Sequence, residues 1–197
     1  MNSPTYEWPV EPPTHAGVRL RAFENRDVPM VRDMATDPHI PKIGTLPYRA
    51  TTSQALAFIA RQRGRLAEGN GFSFCVADIR DDVALGGVGL WLGAIHAGRA
   101  SAGWGVAPAA RGHRIASQGV VAALKFAWTI PELHRIEAYI EPWNIASVRT
   151  AELAGFTREG LMRSHQEVGG QRVDMQLYAV LRPERHEPQP CAPHRER

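Results

Sequence analysis

Cysteine is scarce in this sequence, which has only Cys75 and Cys191 among its 197 residues. Two cysteines so far apart do not provide the framework of a disulfide-rich domain. Cys75 lies in the apolar stretch FSFCVA and is expected to pack as a small hydrophobic residue, whereas Cys191 lies in a proline-rich tail. The sequence therefore predicts no disulfide framework and no nucleophilic thiol.

Long apolar segments are also missing from the sequence. No run approaches the ~18 apolar residues that a membrane-spanning helix requires. The N-terminal segment MNSPTYEWPVEPPTHAG has no apolar stretch of the length found in signal peptides. We therefore expect a cytoplasmic protein without a membrane partner.

Lysine is rare, since Lys42 and Lys125 are the only lysines among 23 basic residues. The basic segment RQRGR (61–65) has no interleaved aromatic residues and matches no nucleic-acid-binding motif, so we interpret it as a solvated helix face. His134 and His165 lack partners at the spacing of metal ligands. The sequence thus disfavours both nucleic acid and a metal ion as partners.

Proline and charge are concentrated at both ends of the chain, which predicts flexible tails over residues 1–15 and 184–197. Residues 16–183 are enough for one domain with a sizeable core. Their hydrophobic patterns predict, in order, a strand, two helices, a three-stranded meander, a helix, a strand, a helix and a closing hairpin. This order predicts a single mixed α/β domain. The proline-punctuated segment HIPKIGTLPYRA, residues 39–50, is expected to be a loop.

The segment APAARGHRIASQG, residues 107–119, leads from the meander into a helix. Its free N–H groups and the helix dipole would form an anion-binding site at the edge of the sheet. An ordinary helix start, with Pro108 and Gly112 only beginning the helix, explains the same pattern. The residues of this turn do not decide between the two alternatives.

Two motifs together are more specific. WGVAPAARGHRIA, followed by NIASVRTAELAGFTREG, resembles the GNAT acetyltransferase superfamily and within it the RimJ/RimL-like branch. The similarity extends from about Val18 to Arg182. It implies a mostly antiparallel central sheet with flanking helices, in which acetyl-CoA lies between two parallel strands that splay apart. The implied activity is transfer of an acetyl group to a primary amine of a protein N-terminus or a small molecule. The alternative is a related module that binds CoA without catalysis, and the sequence leaves open whether the chain forms a homodimer.

The resemblance also implies which residues bind the donor. The pyrophosphate would be held by backbone amides of an Arg-x-x-Gly-x-Gly/Ala turn, whose middle glycine is replaced here by Arg114. If this position is left-handed, arginine costs ~1–2 kcal/mol; if it is helical, the N–H is kept and the side chain can meet a phosphate. The positions expected to contact CoA are Trp104, Val106, Arg111, Gly112, His113, Arg114, Ile115, Ala116, Asn144 and Ser147.

Catalytic roles follow from the same match. Asn144 is expected to bond the pantetheine arm, although it also suits a plain helix cap, and Ser147 is a candidate proton donor to the departing sulfur. The tyrosine found in many relatives four residues further on is Ala151 here, which places more weight on Ser147. For the general base, alternation along HRIEAYIE puts Glu137 and Tyr139 on the polar side of a strand, and Glu167 is a further candidate. Trp104 and Trp143 are expected to line the acyl or acceptor pocket or to pack in the core.

Overall fold

The computed structural model describes residues 6–184. One sheet contains eight strands in the spatial order β1-β2-β3-β4-β5-β6-β8-β7. The strands are β1 Thr14–His15, β2 Val18–Arg21, β3 Gly71–Asp78, β4 Ala84–Trp91, β5 Arg99–Val106, β6 Arg135–Ile140, β7 Thr157–Val168 and β8 Gln171–Leu181. The helices are α1 Val28–Met34, α2 Ile40–Ile43, α3 Thr52–Gly64, α4 Ile115–Ala127 and α5 Ile145–Leu153.

The prediction of a mixed α/β domain is confirmed, and both faces of the sheet are covered. Successive strand residues point to opposite faces, so Phe72 and Phe74 of β3 join the core beneath α4, whereas Cys75 joins the core beneath α1 and α3. Phe126 of α4 packs edge-on against both phenylalanine rings. Among the described helices, none is long and apolar enough to cross a membrane.

The parallel pair β5 and β6 separates along its length. Their register covers only Arg99 with Arg135, Ala100 with Ile136 and Ser101 with Glu137. All other neighbouring strands in the sheet pair antiparallel. Beyond Ser101 the two strands diverge, which confirms the expected splayed pair and opens the centre of the sheet.

The N-terminal segment is more ordered than its composition suggests. Tyr6 and Trp8 pack against the main core, and the Trp8 ring centroid lies 4.8 Å from that of Phe74. Residues 14–15 form β1, an antiparallel edge strand on β2. The prediction of a flexible tail over residues 1–15 is therefore wrong for residues 6–15, because partly buried aromatic side chains and the pairing of β1 hold them on the domain. Of the C-terminal tail, residues 185–197 lie outside the described residues.

The expected loop over residues 39–50 contains the short helix α2, whose first turn includes Pro41. Proline is tolerated there because the first helical N–H groups have no intrahelical partner. After this segment, Thr51 caps α3 through its side chain, and the Gln54 side chain reciprocates by accepting from the Thr51 N–H. Residues of this segment line the opening between β5 and β6, namely His39, Ile40, Ile43, Gly44, Thr45 and Leu46.

Candidate active site

A cleft of about 450 Å³ lies where β5 and β6 separate. One wall is formed by β6 and the start of α5, which contribute Tyr139, Glu141, Asn144 and Ser147. The opposite wall is formed by the segment around α2, by α3 and by residues of β3 and β4. Trp104 of β5 also lines the cleft, with its ring 6.2 Å from Phe156 of the core. Trp143 is 60% exposed and lies outside the core.

The floor of the cleft is made of glycine. Gly89 of β4 pairs with Gly103 of β5, and the Trp91 side chain lies across both. A Cβ atom would lie 2.7 Å from the Trp91 ring at Gly89 and 2.9 Å at Gly103, distances that side chains do not tolerate. The two glycines therefore leave room for the outer edge of the Trp91 indole ring, which lines the cleft.

The turn between β5 and α4 presents a row of free backbone donors. After the Arg111 N–H, which bonds to Pro108, the next described backbone N–H with a partner outside its own helix belongs to Gln118, which bonds to the Arg114 carbonyl. The N–H groups of residues 112–117 are thus unpaired within the described part of the chain. At the start of a 13-residue helix, they are oriented to bind an anion.

Arg114 occupies the left-handed region, with φ +59° and ψ +19°, directly before α4. Of the two sequence-based alternatives, the strained one therefore applies, at a cost of ~1–2 kcal/mol. Gly112 is also left-handed, with φ +87°. Residues 111–114 are exposed, and Ile115 and Ala116 begin the helix half-buried.

Arg111 is committed to a structural contact. Its guanidinium donates to the Asp37 carboxylate (2.5 Å) and to the carbonyl of Val106 (3.1 Å). Burial would raise the pKa of Asp37, but hydrogen bonds from the His39 N–H and from Arg111 hold that pKa below its ordinary value. Asp37 therefore joins the turn before α4 to the segment that starts at His39.

Asn144 is the cap of α5, as the simpler of its two interpretations expected. Its Oδ1 accepts from the Ser147 N–H (3.1 Å), which leaves the amide nitrogen without a partner among the described residues. Asn144 and Ser147 are both half-buried and both line the cleft. Ala151, on the same helix, is fully buried.

Glu137 is a poor candidate for the base. It lies outside the cleft lining, accepts from Tyr139 Oη and from Arg135 Nε at 2.7 Å each, and has Arg99 3.8 Å away. Burial opposes ionisation, but these hydrogen bonds hold the pKa of Glu137 below its ordinary value. Burial and the bond to Glu137 raise the pKa of Tyr139 to about 12, so Tyr139 keeps its proton. Glu167 is exposed on β7.

A different carboxylate, that of Glu141, lines the cleft directly after the end of β6. Glu141 is 9% exposed, and its Oε2 accepts from Trp143 Nε1 (2.8 Å). Its Oε1 lies 3.3 Å from Nε2 of His39 but without hydrogen-bond alignment, so Oε1 is buried and unsatisfied within residues 6–184. The His39 ring packs edge-on against Trp143, 4.8 Å between centroids. An acid–base pair thus lines the cleft beside Asn144.

A family model described as "Acetyltransferase (GNAT) domain" matches residues 18–157. The chain belongs to the GNAT acetyltransferase family. It is therefore an acyltransferase, and the family expected from the two sequence motifs is confirmed. Within the described part of this GNAT acetyltransferase, no group of three or more His, Cys, Asp or Glu side chains could hold a metal ion.

Similar proteins support the same family. An uncharacterized N-acetyltransferase, p20, from Bacillus licheniformis is 27% identical over 165 residues, which cover 84% of this chain and 93% of the relative. The probable N-acetyltransferase YjcK from Bacillus subtilis (strain 168) is 32% identical over 129 residues, 64% of this chain and 70% of the relative. The solved structure of Mycobacterium smegmatis RimJ in complex with CoA-disulfide has a TM-score of 0.71 and 25% identity, covering 83% of this chain and 81% of that one. The RimJ/RimL-like branch is thereby supported.

The sequence motifs of this GNAT acetyltransferase located one half of its cleft and missed the other. Trp104, Tyr139, Asn144 and Ser147 line the cleft, whereas the turn residues form a separate cluster at the end of β5. His39 is about one hundred positions from Glu141, and no spacing rule links them. Glu141 carried a usable signal, because it shares the polar face of β6 with Tyr139 and directly precedes the PWN segment.

Proposed function

We propose that this GNAT acetyltransferase transfers an acetyl group from acetyl-CoA to a primary amine by direct attack within a ternary complex. Two observations carry the proposal: the opening between β5 and β6 has Asn144 and Ser147 on one wall, and the free amides of residues 112–117 lie in the turn that follows β5. Holding two reactants in one cleft supplies much of the rate enhancement in such a reaction.

The turn would hold the pyrophosphate of acetyl-CoA. Six consecutive unpaired N–H groups and the positive end of the α4 dipole suit a doubly charged group. The exposed Arg114 side chain adds a charge that can pair with a phosphate of CoA. Arg111 would act indirectly, because its contact with Asp37 fixes the turn.

The start of α5 would hold the reactive end of the donor. The Asn144 amide nitrogen is free to donate to a carbonyl of the pantetheine arm, since Oδ1 is occupied by the helix cap. Ser147, one turn further along the same face, would protonate the sulfur as the carbon–sulfur bond breaks.

We assign the general base to Glu141, assisted by His39. An amine arrives as an ammonium ion and must lose a proton before it can attack the thioester carbonyl. The unsatisfied Oε1 of Glu141 can accept that proton. Glu141 releases this first proton to solvent. As the carbon–nitrogen bond forms and the carbon–sulfur bond breaks, Ser147 gives its hydroxyl proton to the thiolate, and the second amine proton restores the Ser147 hydroxyl. The products are the amide, CoA thiol and one released proton.

A direct mechanism suits the thiols of the chain. Cys75 is buried, and burial holds the pKa of its thiol far above the ordinary value, so it is a poor nucleophile. Cys191 lies outside the described residues. Cys75 also lies outside the cleft lining, so direct attack by the amine needs no acyl carrier.

The test is release of CoA thiol from acetyl-CoA by the purified protein with a panel of primary amines, with the acetylated products identified by mass spectrometry. We expect amine-dependent release that Glu141→Gln suppresses. Tight CoA binding by calorimetry without release for any amine would favour the non-catalytic CoA-binding module instead.

A further inference from the structure

A pair of buried polar side chains lies on the acceptor side of the cleft, between α3 and β3. Gln62 is 4% exposed, and its Oε1 accepts from the Ser73 hydroxyl at 2.9 Å. Its Nε2 is buried without an acceptor within residues 6–184. Both side chains line the cleft. A buried donor without a partner is costly for a protein to keep, so this one points to a group supplied by a ligand.

Arg65 lines the same cleft and lies one residue beyond the end of α3. The centre of its guanidinium lies 5.5 Å from the centroid of the Trp91 ring, which rests on the glycine floor. Burial lowers the pKa of Arg65 from its ordinary value, although arginine stays charged. No carboxylate lies within ion-pair distance of Arg65 in the described chain. Arg65 and Gln62 thus both offer hydrogen-bond donors to the cleft.

The remaining acceptor side of the cleft is largely apolar. Among the described residues that line it, Glu141 is the one carboxylate. A polyamine would bring several positive charges to a wall that already carries Arg65, so the charges do not match. The apolar side chains around these groups are those of Phe23, Met34, Ile40, Leu46 and Phe58.

We propose that the acceptor is an amino-acid-like molecule, in which the primary amine reacts and a carboxylate on the same apolar body binds to Arg65 and the Gln62 amide. The inference rests on the proposed acetyl transfer and names the substrate class of that site. A guanidinium in a partly dry cleft binds a carboxylate strongly and in a defined orientation. Glu141, which lines the same cleft, accepts the amine proton, so one molecule satisfies both unpaired groups.

The first experiment compares matched acceptors. Phenylalanine, leucine and 5-aminopentanoate are each assayed beside their carboxamide and their decarboxylated amine, with spermidine as a polycation, by CoA thiol release. We expect at least one amino acid to exceed both of its counterparts in kcat/KM by about tenfold or more, because a site with dedicated donors rejects ligands that leave them unpaired. Equal or faster reaction of every decarboxylated amine, or a preference for spermidine, would overturn the proposal.

Binding separates this inference from the proposed function. Calorimetry with the same compounds in the presence of CoA measures the carboxylate preference without turnover. If no amine releases CoA thiol but the amino acids still bind more tightly than their amides, the transfer proposal fails and the carboxylate site stands. If amines react without any carboxylate preference in rate or affinity, only the carboxylate site fails.

The second experiment uses variants on α3. Arg65→Met should lower kcat/KM for the preferred amino acid by about tenfold or more, while that for its decarboxylated amine changes by less than about threefold. Gln62→Glu, which replaces the free donor by an acceptor, should act in the same direction. Arg63→Met is the matched control, because Arg63 is exposed on the same helix and lies outside the cleft lining. Equal losses for both acceptors with either cleft variant would indicate a general defect and contradict the assignment.

Discussion

At the scale of single residues, Arg114 is the departure from the expected turn. Its φ of +59° is a conformation that glycine adopts freely, so the arginine is retained against a local cost. At the proposed pyrophosphate site, an exposed guanidinium can offset that cost only when the anion is bound. Strain in the free protein and affinity in the complex should therefore respond to this residue in opposite directions.

Arg114→Gly should raise the free energy of unfolding of the ligand-free protein by about 1 kcal/mol, because the left-handed strain is removed. Gly112→Ala should lower the free energy of unfolding by a similar amount, because alanine is strained at a φ of +87°. The added Cβ would meet no neighbour within 4 Å, so backbone strain is the only expected effect. Denaturant titration measures both changes. Arg114→Ala, which keeps the strain and loses the charge, should weaken CoA binding more than dephospho-CoA binding in calorimetry. A change of the same sign for both glycine-related variants would contradict this account.

The catalytic roles can be separated kinetically. Glu141→Gln and Ser147→Ala should each lower kcat by about a hundredfold or more with little change in KM for acetyl-CoA, because proton transfer acts in the transition state. Asn144→Asp should mainly raise that KM, since aspartate still caps α5 but cannot donate to the pantetheine arm. Glu167→Gln on exposed β7 is the control for loss of a carboxylate. Full activity of Ser147→Ala would remove it as the acid.

At the scale of secondary-structure elements, the glycines of β4 and β5 decide what the cleft can hold. Gly89 and Gly103 bring two backbones under one indole ring, and that ring in turn carries Arg65. Strand glycines usually weaken a sheet. Here the two glycines leave room for the Trp91 ring, which an alanine Cβ at either position would displace.

Gly103→Ala should raise KM for the acceptor more than KM for acetyl-CoA. The new Cβ would lie 2.9 Å from the Trp91 ring, so the ring must move and Arg65 with it. Gly160→Ala on β7, where nothing lies within 4 Å, should leave both constants unchanged. Steady-state kinetics of the two variants decide, and a Gly103→Ala enzyme with wild-type acceptor kinetics would show that the ring position is unimportant.

Elements with strong local patterns were predictable from the sequence. Alternation defined β6, and Gly155, with φ +91°, closes α5 where the NIASVRTAELAG pattern ends. The helix α2 was missed because one turn is too short for periodicity to appear. The N-terminal segment was misjudged because proline-rich composition is typical of tails, whereas the packing of Trp8 against Phe74 is a tertiary contact that local rules do not contain.

At the scale of the whole molecule, ligand binding should stabilise the fold. A donor that binds only the folded state adds about 2.7 kcal/mol at a hundred times its dissociation constant. Saturating acetyl-CoA should therefore raise Tm by several degrees, whereas NAD and ATP should not.

Acetyl-CoA alone should leave no covalent acetyl group on the intact protein by mass spectrometry, and Cys75→Ala should remain active. An unchanged Tm or a stable acetyl adduct would contradict the proposed mechanism.

The proposed donor and acceptor halves of the cleft also differ in how many of their residues could be predicted from the sequence. Residues 104–116 and 144–147 form two short continuous motifs, so a resemblance could locate them. The proposed acceptor half combines residues from four separate parts of the chain: His39 before α2, Gln62 of α3, Ser73 of β3 and Glu141 after β6. Only the folded chain brings these together, and an unsatisfied amide becomes visible only once its neighbours are known.

The contact between Asp37, Arg111 and the His39 N–H has a thermodynamic consequence. It mechanically links the donor turn to the acceptor wall, so occupation of one should change the affinity of the other, and such cooperativity is reciprocal. Acetyl-CoA should tighten acceptor binding by the same factor by which the acceptor tightens acetyl-CoA binding. Asp37→Asn keeps the side chain's shape but loses the charge, and should reduce that factor toward one. Calorimetric titrations of each ligand with and without a non-reactive analogue of the other measure this factor. A factor of one in the unmutated protein would mean that the two halves of the cleft bind independently, and an unchanged factor in Asp37→Asn would mean that the coupling does not pass through Asp37.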